Sequence, residues 1–162
     1  MVVLKAICVM CGKDSRGRPV KGQVHFVQES EDKPIKIRGH FSGVKEGLHG
    51  FHVHEFGDLT DGCTSAGAHY NPTDCDHGGP DDSVRHIGDF GNVCACEDET
   101  ATIEIEDRLA KLSGKHSILG RALVLHEDPD DLGKGSYPDS KTTGHAGARI
   151  ACGIIAVADP KK

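Results

Sequence analysis

The chain has 162 residues, room for one domain (residues 1–162) with a proper core. A formal net charge of −6 argues against nucleic acid and anionic membranes as partners. No run approaches the roughly 18 apolar residues of a membrane span, and 21 glycines with no tryptophan point to a fold rich in turns.

The start, Met1-Val2-Val3-Leu4-Lys5, lacks a basic segment followed by a long apolar one, so no secretory signal is expected. Period-2 alternation and β-branched content predict strands over 2–10, 20–29, 34–41, 46–54, 88–95, 101–106, 118–126 and 149–157. The first carries Cys8-x-x-Cys11, which has no second CxxC to complete a zinc or redox motif. It reads as a core thiol and a strand-end thiol. The fourth ends in Gly50-Phe51-His52-Val53-His54-Glu55-Phe56-Gly57-Asp58. Side chains at i and i+2 of a strand share a face, so His52 and His54 converge. Asn71-Pro72-Thr73 carries proline in the middle position and is no glycosylation site. No segment has a convincing helical stripe. The fold class that follows is all-β, an eight-stranded antiparallel sandwich or barrel.

Two connections are long, about 55–87 and 127–148, and rich in Gly, Pro, Asp and Asn. Such loops are usually functional or disordered. The first bears His69, His77 and His86, which favours an ordered loop pinned by metal. Three imidazoles on strands, His52, His54 and His126, suit copper or zinc. His69, His77, His86 and Asp89 suit a tetrahedral zinc, whose binding energy can order a loop too polar to pack itself. His25, His40, His116 and His145 are assigned to the surface. His49, in phase with neither ligand of the fourth strand, is assigned to packing or hydrogen bonding. Seven cysteines leave at least one without an intramolecular partner.

These residues resemble the copper/zinc superoxide dismutases of the eukaryotic cytosolic type, from end to end of the chain. The resemblance rests on Gly50 to Asp58 and on Gly144-His145-Ala146-Gly147-Ala148-Arg149-Ile150-Ala151-Cys152-Gly153-Ile154-Ile155. Further matches are Gly62 to His69, Arg85 to Asp89, Leu125-His126-Glu127 and Asp130 to Gly135. It implies a Greek-key barrel with two functional loops, and disproportionation of superoxide to oxygen and hydrogen peroxide. Copper would be held by His52, His54, His69 and His126. Zinc would be held by His69, His77, His86 and Asp89, with His69 shared between the ions and returning a proton to peroxide. Asp130 would link a copper histidine to a zinc histidine. Arg149 would dock superoxide, Thr143 would narrow the channel, and Glu127, Lys134 and Lys141 would shape its field. The resemblance further implies a Cys63–Cys152 disulfide, a homodimer in contact near Gly57, Gly120 and Ile154, loading by a copper chaperone, and a cytoplasmic location. The charged loop departs from the family pattern at Tyr137-Pro138, at Lys141 and Thr142, and at His145, where asparagine is more usual. Cys75, Cys94 and Cys96 are additional thiols.

Three other classes compete. A chaperone-type domain of the same fold would lose copper ligands, and here all four positions are histidine. A cupin would place glutamate where Asp58 stands. A plain zinc-stabilised protein would contain no copper.

Overall fold

The computed structural model describes residues 3–162. Valine, isoleucine and phenylalanine alternate with charged residues along most of the chain, and this period-2 pattern yields strands. In chain order they are β1 (Leu4–Lys13), β2 (Pro19–Gln28), β3 (Ile35–Ser42), β4 (Gly47–His54), β5 (Thr60–Cys63), β6 (Asp89–Ala95), β7 (Thr100–Asp107), β8 (Ala122–His126), β9 (Arg149–Ile154) and β10 (Ala156–Val157). One 3-10 turn, Thr64–Ala66, is the only helical element among the described residues.

Nine of these ten strands form one sheet in the order β6-β4-β8-β9-β1-β2-β3-β7, with β10 also on β1, and β5 lies outside it. Every pairing between strands is antiparallel. The two edges, β6 and β7, approach each other and nearly close a barrel. The β3-to-β4 and β7-to-β8 connections cross between opposite ends of the strand order, as a Greek key requires.

Eight of these strands correspond to the predicted set, with shifted ends. The first prediction began at residue 2, outside the described residues, and the strand continues to Lys13 because it pairs with β2 along its full length. The prediction over 118–126 starts too early. Residues 118–121 form a turn in which Gly120 has φ +79° and donates its N–H to the Ile155 carbonyl. The prediction over 149–157 is broken at Ile155, whose N–H turns away to the Arg121 carbonyl. β5 was not foreseen. Its sequence, Thr-Asp-Gly-Cys, has no apolar alternation to reveal it.

Inside the barrel, Phe41 packs edge-on to Phe51 and Phe51 touches Phe90, with ring centroids 5.9 and 6.0 Å apart. Each such ring contributes ~1.5–3 kcal/mol on burial. β4 is buried on both faces. Phe51 and Val53 point into the barrel core. His52 and His54 point outward and are covered by the two long loops, at 0% and 1% exposure.

Candidate metal centre

The first loop reaches β4 because its backbone pairs there. Tyr70 donates its N–H to the Val53 carbonyl, Val53 to Gly88, and His54 and His69 form an isolated antiparallel bridge. This brings His69 beside the two strand histidines, its ring stacked on His52 at 3.9 Å. The far end of the loop is pinned by Arg85. Its guanidinium pairs with Asp107 of β7 at 2.7 Å and donates to the carbonyls of Pro80, His86 and Ile87. The second loop returns over the same face and supplies Asp130.

The rings of His52, His54, His77 and His126 are each oriented by a partner on the far nitrogen, the arrangement that fixes tautomer in metal sites. His54 Nδ1 donates to the Gly67 carbonyl at 2.8 Å, and His126 Nδ1 to the Gly147 carbonyl at 3.0 Å. Their Nε2 atoms are then lone-pair acceptors, yet they face each other at 3.3 Å. Two lone pairs at that distance repel unless a cation lies between them. Asp130 bridges His52 Nε2 at 2.6 Å and His77 Nε2 at 2.7 Å. That leaves His52 Nδ1 and His77 Nδ1 pointing inward. Among the described residues, the buried side-chain polar atoms without a hydrogen-bond partner are His52 Nδ1, His69 Nε2 and His77 Nδ1. His77 Nδ1 lies 2.9 Å from Asp89 Oδ2 but out of hydrogen-bonding alignment.

Donors on a tetrahedral zinc with bonds of about 2.0–2.1 Å stand about 3.3 Å apart. His69 Nδ1 is 3.1 Å from Asp89 Oδ1 and 3.3 Å from His86 Nδ1, which is itself 3.2 Å from Asp89 Oδ1. The spacing fits one ion. Two groups of potential ligand atoms gather within 4.8 Å: His52, His54, His69 and His126, and His52, His69, His77 and Asp89. His86 is a candidate for the second group as well, because its Nδ1 sits at tetrahedral spacing from two of the other donors.

Electrostatics prepares the rings for cations. Burial, reinforced by neighbouring imidazoles, holds His52 and His54 well below the ordinary imidazole range. Burial also lowers His126 to about 3 and lowers His69, against the pull of Asp89. Neutral imidazoles keep their lone pairs free. At His77 burial is outweighed by the Asp130 and Asp89 carboxylates, which raise it to about 9. Burial likewise opposes ionisation of Asp89, yet the His69, His77 and His86 rings gathered around it hold its carboxyl below the usual range. This side of the centre attracts positive charge, which a metal ion supplies.

Arg149, at the start of β9, is half-buried and donates to the carbonyls of Cys63 at 2.8 Å and Gly67 at 2.7 Å. Cys63 is disulfide-bonded to Cys152, with Cα atoms 5.7 Å apart. The same loop therefore holds the guanidinium and, through Gly67, the His54 ring. Nothing in the sequence pattern signalled these two carbonyls. Gly144 is needed for the second loop's approach: its φ is +70°, and a Cβ would lie 2.0 Å from Asp130 Oδ1. The other residues of the charged loop turn to local partners. Glu127 accepts from Ser15, Lys134 is near Asp82 at 3.9 Å, and Thr143 donates to Asp139. Lys141 contributes its carbonyl to the His77 N–H. His145, with φ +54°, stacks on Tyr137 at 3.6 Å and bonds Asp139 at 2.7 Å. His49 is buried with its ring nitrogens against the carbonyls of His126 and Lys45, in the hydrogen-bonding role expected of it.

A family model described as copper/zinc superoxide dismutase matches residues 20–155. The chain is 49% identical over 155 residues to a putative Cu-Zn superoxide dismutase of Autographa californica nuclear polyhedrosis virus, covering 95% of this chain and 99% of the relative. It is 51% identical over 155 residues to Cu-Zn superoxide dismutase 4 of Dictyostelium discoideum, with the same coverage. Histidine clusters that fit metal, a nearly closed Greek-key barrel and these likenesses agree: the chain belongs to the copper/zinc superoxide dismutase family and is an oxidoreductase that uses copper and zinc.

Proposed function

We propose that this protein disproportionates superoxide at a copper ion held by His52 Nδ1, His54 Nε2, His69 Nε2 and His126 Nε2. Zinc would be held beside it by the Nδ1 atoms of His69, His77 and His86 and by Asp89. When bound, copper supplies one-electron chemistry, taking an electron from one superoxide and giving it to a second, while zinc has no redox chemistry.

The chain's own residues do the rest. His69 would present Nδ1 to zinc and Nε2 to copper, and Nε2, whenever it is free of copper, is the atom that would hold a proton for peroxide. Asp130 keeps His52 and His77 in the metal-binding tautomer. Arg149 docks the anion, since its guanidinium keeps its charge and is immobilised by two carbonyls. Lys134, Lys141, Glu127 and Thr143 shape the approach, and the positive charge of the two lysines works against the chain's net charge of −6.

The observation that carries this reading is His69. Its Nδ1 lies among His86 and Asp89, while its Nε2 is buried without a partner on the side of His52, His54 and His126. A homodimer is part of the proposal, supported by exposed Phe56 and Ile154 beside the close backbone contact of Gly57 with Gly120. So are loading by a copper chaperone and a cytoplasmic location; no helix among the described residues is long and apolar enough to cross a membrane. The test is pulse-radiolysis turnover with copper and zinc quantified on the same preparation. Turnover in proportion to copper, at one copper and one zinc per chain, is expected. Full metallation without turnover sinks it.

A further inference from the structure

Five thiols lie outside the disulfide, and Cys11 is set apart by register. In the β1–β9 pairing it stands directly opposite Cys152. Residues directly opposed in an antiparallel pair project from the same face, with Cβ atoms about 4.5–5.5 Å apart. On β1, Cys8 and Met10 face the core, whereas Val9 and Cys11 are exposed on the outside. On β9, Ala151 belongs to the core, while Cys152 packs outside the barrel with Ala122 and Val124 of β8. Cys11 and Cys152 therefore share the outer face.

The flanks of β9 differ. The segment carrying Cys63 packs with Ala122 and Val124, on the β8 side. Cys11 comes from β1, on the other side. A sulfur arriving from there meets Cys152 Sγ away from its partner sulfur, the approach that thiol–disulfide exchange uses. Cys152 is only 6% exposed, so a thiol in solution has poor access, while Cys11 is open to solvent. Lys21 lies opposite Cys11 on β2 and offers a cation to an anionic thiol such as glutathione. Cys8, whose Sγ is close to Gly153, is no rival: burial pushes its thiol up to about 12, and the thiolate is the nucleophile.

We propose that Cys11 is an internal nucleophile for the Cys63–Cys152 bond, so that this disulfide is an exchangeable tether. The Cys11 thiolate forms a bond to Cys152 Sγ as the Cys63–Cys152 bond breaks. The bonding pair leaves on Cys63, which takes up the proton that Cys11 gave to water. No external oxidant or reductant is consumed. The exchange loosens the segment whose Cys63 and Gly67 carbonyls hold Arg149, and thereby links thiol chemistry to anion docking.

The test uses the metal-loaded full chain and Cys11→Ser, a change at an exposed position. Each is treated with glutathione, quenched with acid, alkylated in denaturant and peptide-mapped after digestion at low pH. A Cys11–Cys152 peptide should appear transiently with Cys63 alkylated. Release of Cys63 should be roughly tenfold or more faster than in Cys11→Ser, the advantage of an intramolecular thiol at millimolar effective concentration. Cys8→Ser should release Cys63 at the unaltered rate. Equal rates in the chain and Cys11→Ser, or a Cys8–Cys152 linkage in place of Cys11–Cys152, overturn the proposal. The readout is independent of superoxide turnover.

Discussion

Replacing Asp130 with asparagine should weaken one metal site and spare the other. The carboxylate accepts three hydrogen bonds that decide the outcome. Oδ2 accepts from His52 Nε2, while Oδ1 accepts from His77 Nε2 and from the Leu132 N–H at 2.8 Å. An amide has one acceptor oxygen and one donor nitrogen. Keeping the oxygen at the Oδ1 position preserves two of the three bonds, so the NH2 group turns toward His52. His52 Nε2 must then accept, and its proton moves to Nδ1, the atom left without a partner for metal. Loss of such an orienting partner costs about 10–100-fold in metal affinity, or ~1.4–2.7 kcal/mol. Copper affinity should fall by that amount while zinc affinity holds. Competition titrations with chelators, metal by metal, read both constants on the same protein. Unchanged copper affinity, or a loss confined to zinc, would refute the tautomer argument and the assignment of His52 to copper.

Four further outcomes are expected. His126→Ala should retain zinc on metal analysis and abolish superoxide turnover; normal turnover removes His126 from the copper set. Arg149→Glu should slow turnover and flatten its decline with added salt, because attraction of the anion is lost; an unaltered rate and salt slope would exclude Arg149 from docking. Arg85→Met leaves the Asp107 charge buried without its partner, and breaking such pairs costs about 3–5 kcal/mol. Its Tm should drop, with zinc lost more readily to chelators, and a wild-type melting curve would contradict the anchoring role. Reducing Cys63–Cys152, which closes a loop over a separation of 89 residues, should lower stability by ~2–4 kcal/mol in denaturant melts; no shift in the midpoint would show that the link bears no stability.

Much of this molecule was legible before any coordinates. Alternation is a local property, so the strands bearing clean apolar faces, such as Ala101 to Glu106 within β7, could be located to within a few residues. The i, i+2 spacing of His52 and His54 likewise dictated a shared face, because pleating allows nothing else. Element ends were less legible. The turn at 118–121 and the break at Ile155 are set by hydrogen bonds to each other, between residues more than thirty positions apart. β5 carries no apolar alternation by which a local pattern could reveal it.

The sequence by itself determined the fold class and the family and supplied the candidate ligands, because residue type and short-range spacing carry them. Only the tertiary structure decided which nitrogen of His52, His54, His77 and His126 faces inward, since that depends on the distant Gly67, Gly147 and Asp130 oxygens. It alone set the Arg149 guanidinium on the Cys63 and Gly67 carbonyls, and Cys11 opposite Cys152. These are contacts between segments far apart in the chain, and the physical reason is that a side chain's chemistry is fixed by what folding packs against it, which no local pattern records.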